Sequence, residues 1–235
     1  MQYRFEPVAY GPLKVYKEPE GGEKYTVGID TATGLGADYT CMQVLSNRLP
    51  FDQVAVFRAK WSVVDAALFA NQLGHWYNDA LIVVETNYPG NAVQDALIQT
   101  YRYPRNYQAE QHLDESPNVS SKYGFTTTQG SKWLLIREMI QAIKDEDIIL
   151  NDPLTVEEMG SYVYLEDKTK TGAAPGLNDD TVIAIMLAYH GAYLYPQKPK
   201  ARPKSPVFGN LQHKKMLDDF MKSIRNYNPG KGNAL

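Results

Sequence analysis

Two short apolar runs, each stopped by an acid, decide the reading of this chain: Tyr25-Thr26-Val27-Gly28-Ile29-Asp30 and Leu81-Ile82-Val83-Val84-Glu85. Each has the length and the β-branched content of a buried strand. A Gly-rich turn (Thr33, Gly34, Leu35, Gly36, Ala37, Asp38) leads from the first run into an apolar stretch from Tyr39 to Leu45, and Gln53 to Ala59 alternates in the strand manner. Three successive strands with short links predict an antiparallel meander.

The period then changes. Val64, Ala67, Leu68, Leu73 and Trp76 fall on the apolar stripe of a helix over 63–77, with Ser62 as its cap. The second acid-ended run follows, so a crossover returns the chain to the sheet. Ala92, Val93, Ala96 and Leu97 predict a helix over 91–101, and Leu134, Leu135, Met139 and Ile143 give a clearer amphipathic helix over 130–144. Residues 161–165 read as a strand, followed by a turn rich in Lys and Gly (Lys168, Lys170, Gly172, Gly176), and 180–193 as an apolar helix. This order predicts an α/β domain with a mixed central sheet flanked by helices.

The expected organisation has three parts. Residues 1–23 carry Pro7, Gly11, Pro12, Pro19, Gly21 and Gly22 with little periodicity and read as a linker-like segment. The folded domain is expected over 24–196. Residues 197–235 hold nine Lys or Arg against two Asp, a charge of +7 that leaves −10 on the rest of a chain whose net charge is −3. This basic, proline-bearing tail is expected to be partly disordered and to meet an anionic partner or stay solvated. Within it Met216, Leu217, Phe220, Met221 and Ile224 follow helical spacing, so a short amphipathic helix could dock.

Composition narrows the classes. With 43% hydrophobic and 22% charged residues the chain is globular, and a single cysteine, Cys41, excludes a disulfide framework and a Cys-rich zinc site. No stretch approaches the roughly 20 apolar residues that span a bilayer, and residues 1–20 lack the apolar run of a signal peptide, so neither membrane insertion nor export is expected. His75, His112, His190 and His213 lack paired ligand spacing. Cys41 lies inside an apolar strand and reads as buried and inert. Tyr101, Tyr103 and Tyr107 lie near Arg102 and Arg105, where ordinary packing and stacking on nucleic acid are equally compatible with the sequence.

The acids fall at element ends. Asp30 and Glu85 each close a strand at the same relative place, and Asp179 and Asp180 open the last helix. Singly, each has a plain reading: a helix cap for the pair, a turn partner for Asp30, a solvated strand end for Glu85. Together, strand ends that converge on one sheet edge can bring three or four carboxylates around a cation. Such a cluster repels itself unless a metal neutralises it, and all-oxygen ligands suit Mg²⁺ or Mn²⁺.

Gly28-Ile29-Asp30-Thr31-Ala32 with Gly36 and Asp38-Tyr39-Thr40, Val84-Glu85-Thr86-Asn87 with Gly90, Gly124-Phe125-Thr126-Thr127-Thr128 with Lys132, and Asn178-Asp179-Asp180 resemble the motifs of one family. That family is the nuclease domain of the large terminase subunit of tailed bacteriophages, in the RNase H-like superfamily. The resemblance spans roughly residues 12–195, and Gly11-Pro12-Leu13-Lys14-Val15-Tyr16 resembles the link that precedes this domain in the full subunit. It implies an RNase H-like mixed sheet and catalytic metal ligation by Asp30, Glu85 and one or both of Asp179 and Asp180. Many relatives have His in place of Asn178, and several have Asp in place of Glu85.

The activity so implied is metal-dependent hydrolysis of double-stranded DNA, cutting concatemeric viral DNA during packaging without strong sequence specificity. Asp30 would bridge two Mg²⁺ or Mn²⁺ ions about 4 Å apart, and water would be the nucleophile. Lys168, Lys170 and Lys132 are candidates for phosphate contact. The implied partners are DNA, the terminase ATPase domain, the portal and the small terminase subunit, with no membrane, in the host cytoplasm during phage assembly. No Gly-x-x-x-x-Gly-Lys-Ser/Thr loop occurs, so translocation is not expected of this chain. Either the chain is a nuclease domain cut from a longer protein or the motor is a separate polypeptide, and the linker-like start favours the former.

Other readings compete. Gly28-Ile29-Asp30-Thr31 with Gly34 also resembles the first phosphate loop of actin-like and sugar-kinase-like ATPases, but no second strand followed by Asp-x-Gly-Gly appears. A Rossmann dehydrogenase would need a helix after Gly34-x-Gly36 where a strand is predicted. Outside enzymes, the chain would be a catalytically inactive RNase H-like adaptor that grips portal or DNA.

Overall fold

In the computed structural model, the described residues are 5, 10–34, 38–112, 119–164, 171–174, 178–198, 218 and 220. Their centre is a six-stranded mixed sheet. Strand β2 (Tyr25–Asp30) pairs antiparallel with β3 (Thr40–Ser46), and β3 pairs antiparallel with β4 (Phe51–Ala59), which is the expected meander. On the other side of β2 lies β5 (Leu81–Val84), parallel to it. Helix α1 (Val63–Trp76) supplies the crossover, with the Ser62 hydroxyl accepting from the Asp65 amide as its cap.

The far edge holds two elements absent from the sequence reading. β1 (Leu13–Val15), inside the segment read as linker-like, pairs antiparallel with β4 through Ala55–Phe57, and β8 (Ile148–Ile149) pairs parallel with Phe51 and Asp52. Neither run is long enough to show a period. Beyond β5, helix α2 (Gly90–Asp95) continues into a π-helical stretch (Ala96–Thr100), covering most of the helix expected over 91–101. The chain then makes a hairpin of β6 (Gln108–His112) and β7 (Val119–Tyr123).

Helix α3 (Gln129–Lys144) starts at Thr128, whose side chain and that of Ser131 form a capping box. Helix α4 (Pro153–Ser161) was not expected, and it ends where a strand was predicted to begin. Asp152 as cap and Pro153 at the first position are the start signals that mark it. The following strand is β9 (Tyr162–Tyr164), paired with β10 (Thr171–Ala173). Helix α5 (Asp180–Leu194) closes the body and is buried on nearly all sides, as its uniformly apolar sequence requires.

Alternation along the strands divides the core in two. Val27, Ile29, Met42, Val44, Ala55, Phe57, Ile82 and Val84 face α1, where Phe57, Trp61 and Phe69 interlock with ring centroids 4.4–5.2 Å apart. Leu45, Phe51, Leu81 and Val83 face α3, α4 and α5. The stripe predicted for α1 is rotated: Ala66, Ala67, Phe69, Ala70 and Leu73 are buried, whereas Val64 and Leu68 are 72% and 42% exposed. The small alanines let the helix lie close to the sheet, and Phe69 then fills the space that an aliphatic stripe would have filled. Phe220, one of the apolar residues of the tail, is fully buried in the α5-side core beside Tyr162. Met216, Leu217, Met221 and Ile224 lie outside the described residues.

No helix among the described residues is long and apolar enough to cross a membrane.

Candidate metal centre

The parallel register of β2 and β5 pairs Thr26 with Leu81, Val27 with Ile82, Gly28 with Val83 and Ile29 with Val84. One step further come Asp30 and Glu85, and the Glu85 amide donates to the Ile29 carbonyl at 2.9 Å. Alternation puts both acids on the face that carries α5. Helix α5 runs back along β2, with Ala184 and Ala188 over Gly28, and Gly191 over Thr26. Its first turn therefore lies at the carboxyl ends of β2 and β5, where Asp179 and Asp180 meet the strand acids.

Gly28 makes that approach possible. A Cβ there would stand 2.1 Å from the Ala184 carbonyl oxygen and 2.3 Å from the Ala188 nitrogen, so β2 and α5 touch backbone to backbone. Gly90 does the same for the Glu85 turn, where a Cβ would fall 1.8 Å from the Glu85 carbonyl oxygen.

The four acids form a connected charged set. Asp30 is hydrogen-bonded to Glu85, and burial of its carboxyl, then the charges of Glu85, Asp180 and Asp179, hold its pKa well above the usual carboxylate range. Burial also raises Asp179, against the opposing pull of the Lys132 ammonium and of the Ala173 amide, which donates to it. Asp180 is pushed up to about 6, by burial first, with Arg58 opposing and Glu158 adding to the rise. Among the described residues, no three His, Cys, Asp or Glu side chains are gathered at the spacing that holds a metal ion. The donors are nevertheless all carboxylate oxygens, self-repelling and partly desolvated, which is the chemistry a hard divalent cation takes.

Three groups at this site were not singled out from sequence. Arg58, on β4, lies 3.4 Å from Asp180 and 3.5 Å from Glu158, with its guanidinium 3.6 Å from the centre of the Tyr39 ring. The Tyr39 amide is 3.4 Å from the Asp180 carboxylate. Glu158, on α4, is buried and accepts from both the Thr181 amide, at 3.0 Å, and the Thr181 hydroxyl. A lone Arg in a strand and a Glu in an unrecognised helix carry no local signal of such a role.

Lys132 lies in the first turn of α3, donates to the Thr171 carbonyl at 2.9 Å and stands 5.6 Å over the Tyr162 ring, within the electrostatic reach of Asp179. Lys168 and Lys170 lie outside the described residues. Asn87 ties the Glu85 turn to the start of α3, giving its amide to the Thr127 carbonyl and accepting from the Thr127 amide.

The remaining sequence candidates have local partners. His75 pairs with Asp79 at 2.5 Å, and buried His190 lies between Glu138, at 2.8 Å, and Tyr107, at 3.1 Å. Cys41 is fully buried, and burial followed by the charge of Asp30 pushes its thiol pKa up. Tyr103 and Tyr107 are core residues, so packing accounts for both.

No protein-family model matches the chain, and no curated protein matches it in sequence. Its backbone superimposes on the large terminase nuclease from thermophilic phage G20c with bound magnesium, with a TM-score of 0.62 and 16% identity over 81% of this chain and 90% of that one. The fold is that of the phage large-terminase nuclease. The nuclease domain of the Thermus phage P74-26 large terminase matches with a TM-score of 0.60 and 16% identity, over 86% of this chain and 94% of that one. The G20c nuclease with bound zinc gives a TM-score of 0.57 and 16% identity, over 81% and 91% of the two chains. The RNase H-like mixed sheet expected from the motifs is therefore the fold observed.

Proposed function

We propose that this chain is a metal-dependent endonuclease that cuts concatemeric double-stranded DNA during viral genome packaging, without strong sequence preference. The observation that carries the reading is the register of β2 and β5, which sets Asp30 beside Glu85 under the first turn of α5. The terminase nucleases of like fold, solved with magnesium, cobalt or zinc, support it.

In this reading Asp30 is the central ligand, with Glu85 on one side and Asp179 or Asp180 on the other. Bound Mg²⁺ or Mn²⁺, as two ions, supplies Lewis-acid polarisation of the phosphate and a more acidic water at neutral pH. Burial and the charges of Glu85, Asp180 and Asp179 raise the pKa of Asp30, and a bound cation would oppose that rise. Lys132 sets a positive charge beside Asp179, and Arg58 holds Asp180. Lys168 and Lys170, which lie outside the described residues, are the further candidates for phosphate contact. The portal, the small terminase subunit and the ATPase domain are its assembly partners, in the host cytoplasm.

A second reading, an inactive adaptor on the same scaffold, is favoured by the lack of three acids at ligand spacing among the described residues. Supercoiled-plasmid cleavage in Mn²⁺ and in Mg²⁺, beside EDTA and Asp30→Asn, separates the two. Metal-dependent cutting that vanishes in the variant supports the nuclease. Cutting that survives Asp30→Asn defeats the site assignment. Without cutting, Mn²⁺ titration decides: binding lost in Asp30→Asn marks a nuclease awaiting its partner, and no binding marks the adaptor.

A further inference from the structure

We infer that Glu158 is a positioning residue that caps helix α5 from outside the helix and so releases Asp179 to face the metal centre. This rests on the nuclease reading of that centre. An Asp in the position before a helix ordinarily turns its carboxylate back onto the free amides of the second or third helical residue. Asp179 holds that position for α5 and makes no such bond. Its carboxylate accepts instead from the Ala173 amide of β10 and from its own, while its backbone carbonyl takes the Val182 and Ile183 amides, each at 3.0 Å.

The amide that Asp179 leaves free is that of Thr181, and Glu158 takes it at 3.0 Å while also accepting from the Thr181 hydroxyl. Glu158 supplies the negative charge that a helix start favours, and its other oxygen faces Arg58 at 3.5 Å. Buried hydrogen bonds fix where it stands. Asp152 caps α4 through the Thr155 amide, the Thr155 hydroxyl meets the Gln43 and Gln53 amides, and Gln43 also donates to the Thr181 carbonyl at 3.3 Å. Helix α4 thus holds the start of α5 through the Glu158 side chain. The division of labour lets two consecutive acids, Asp179 and Asp180, serve the site without leaving the helix end uncapped.

The test uses the full chain with Glu158→Ala and Glu158→Gln, the latter keeping an oxygen for the Thr181 amide. Mn²⁺ affinity is measured by calorimetry at a temperature where circular dichroism shows each variant folded. Glu158→Ala should weaken Mn²⁺ binding by about tenfold or more, the scale on which partners of metal ligands act, and Glu158→Gln should restore most of it. Nitrogen–carbon coupling across the hydrogen bond, read by NMR, should run from the Thr181 amide to the Glu158 carboxyl in the parent and to the Asp179 carboxyl in Glu158→Ala. Should the alanine variant not fold, Glu158→Asp, which shortens the reach, takes its place.

Unchanged Mn²⁺ affinity in Glu158→Ala, or equal loss in both variants, would overturn the inference. A parent chain that binds no Mn²⁺ would defeat the nuclease reading instead, and the NMR coupling would still decide whether Asp179 takes over as cap when Glu158 is removed.

Discussion

The two faces of the sheet are built on different terms. The face under α1 is closed by apolar side chains, with Phe57, Phe69, Leu73, Ile82 and Val84 fully or almost fully buried. The face under α5 gives up part of that apolar contact. Gly28 replaces a side chain with direct backbone contact, Gln43, Gln53, Thr155 and Asp152 form a buried polar network, and acids and Arg58 gather at the strand ends. The first face contributes stability with little local specification. The second spends buried volume on polar groups that need partners in fixed directions, which suits a site whose donors have to be aimed.

That contrast can be broken at five positions. The largest effect is expected from Asp30→Asn. It should abolish metal-dependent plasmid cleavage, a loss beyond the roughly 10–100-fold that follows from removing a partner of a metal ligand. Its thermal midpoint without metal should not fall, because a carboxyl held among like charges is exchanged for a neutral amide. A fall in the midpoint with cleavage retained would place the chemistry elsewhere.

Next come paired core substitutions, one on each face. Leu73→Ala should cost about 2–5 kcal/mol by denaturant unfolding, and cleavage should persist wherever the variant remains folded. Gly28→Ala should cost about 3 kcal/mol or more, since the clash is with the α5 backbone and not with a side-chain tip. It should also lower cleavage in the folded protein, because the first turn of α5 is displaced. Equal activity in the two variants would erase the proposed difference between the faces.

A third prediction concerns acid. Burial of Asp152 would raise its pKa, but bonds from Lys14, Tyr16 and Thr155 outweigh that and hold it below the usual value of 3.8. A depressed native pKa contributes stability above the unfolded-state value, and that stability is lost as the pH falls through the native one. Unfolding free energy of the parent should therefore drop below about pH 4 more steeply than that of Asp152→Asn, which has nothing to protonate there. Parallel curves would show that β1 is not fastened through this carboxylate. The smallest effect is expected from Ser62→Ala at the start of α1, about 1 kcal/mol with activity unchanged, measured by chemical denaturation.

Much of this architecture was legible because local signals agreed with one another. β2, β3, β4 and β5 announce themselves by apolar runs, α1 by period and by its cap Ser62, α3 by its period, and α5 by an unbroken apolar stretch after Asp179 and Asp180. The elements that escaped are short or borrowed. β1 and β8 are strands because β4 offers them an edge, and their three and two residues hold no pattern of their own. Helix α4 has a start signal in Asp152-Pro153, but at nine residues it is too short to show a clear helical period.

The division between sequence and tertiary structure is sharpest at the site. Strand ends, helix ends and the acids placed on them follow from the sequence, because hydrophobic period and capping act over a few neighbouring residues. Which face those acids look to was decided by the register between β2 and β5, and the partners at the start of α5, Glu158 on Thr181 and Arg58 on Asp180, arrive from 20 or more positions away in the chain. Local spacing carries no record of such meetings. They arise when burial of the two faces brings distant polar groups together and leaves each requiring a partner.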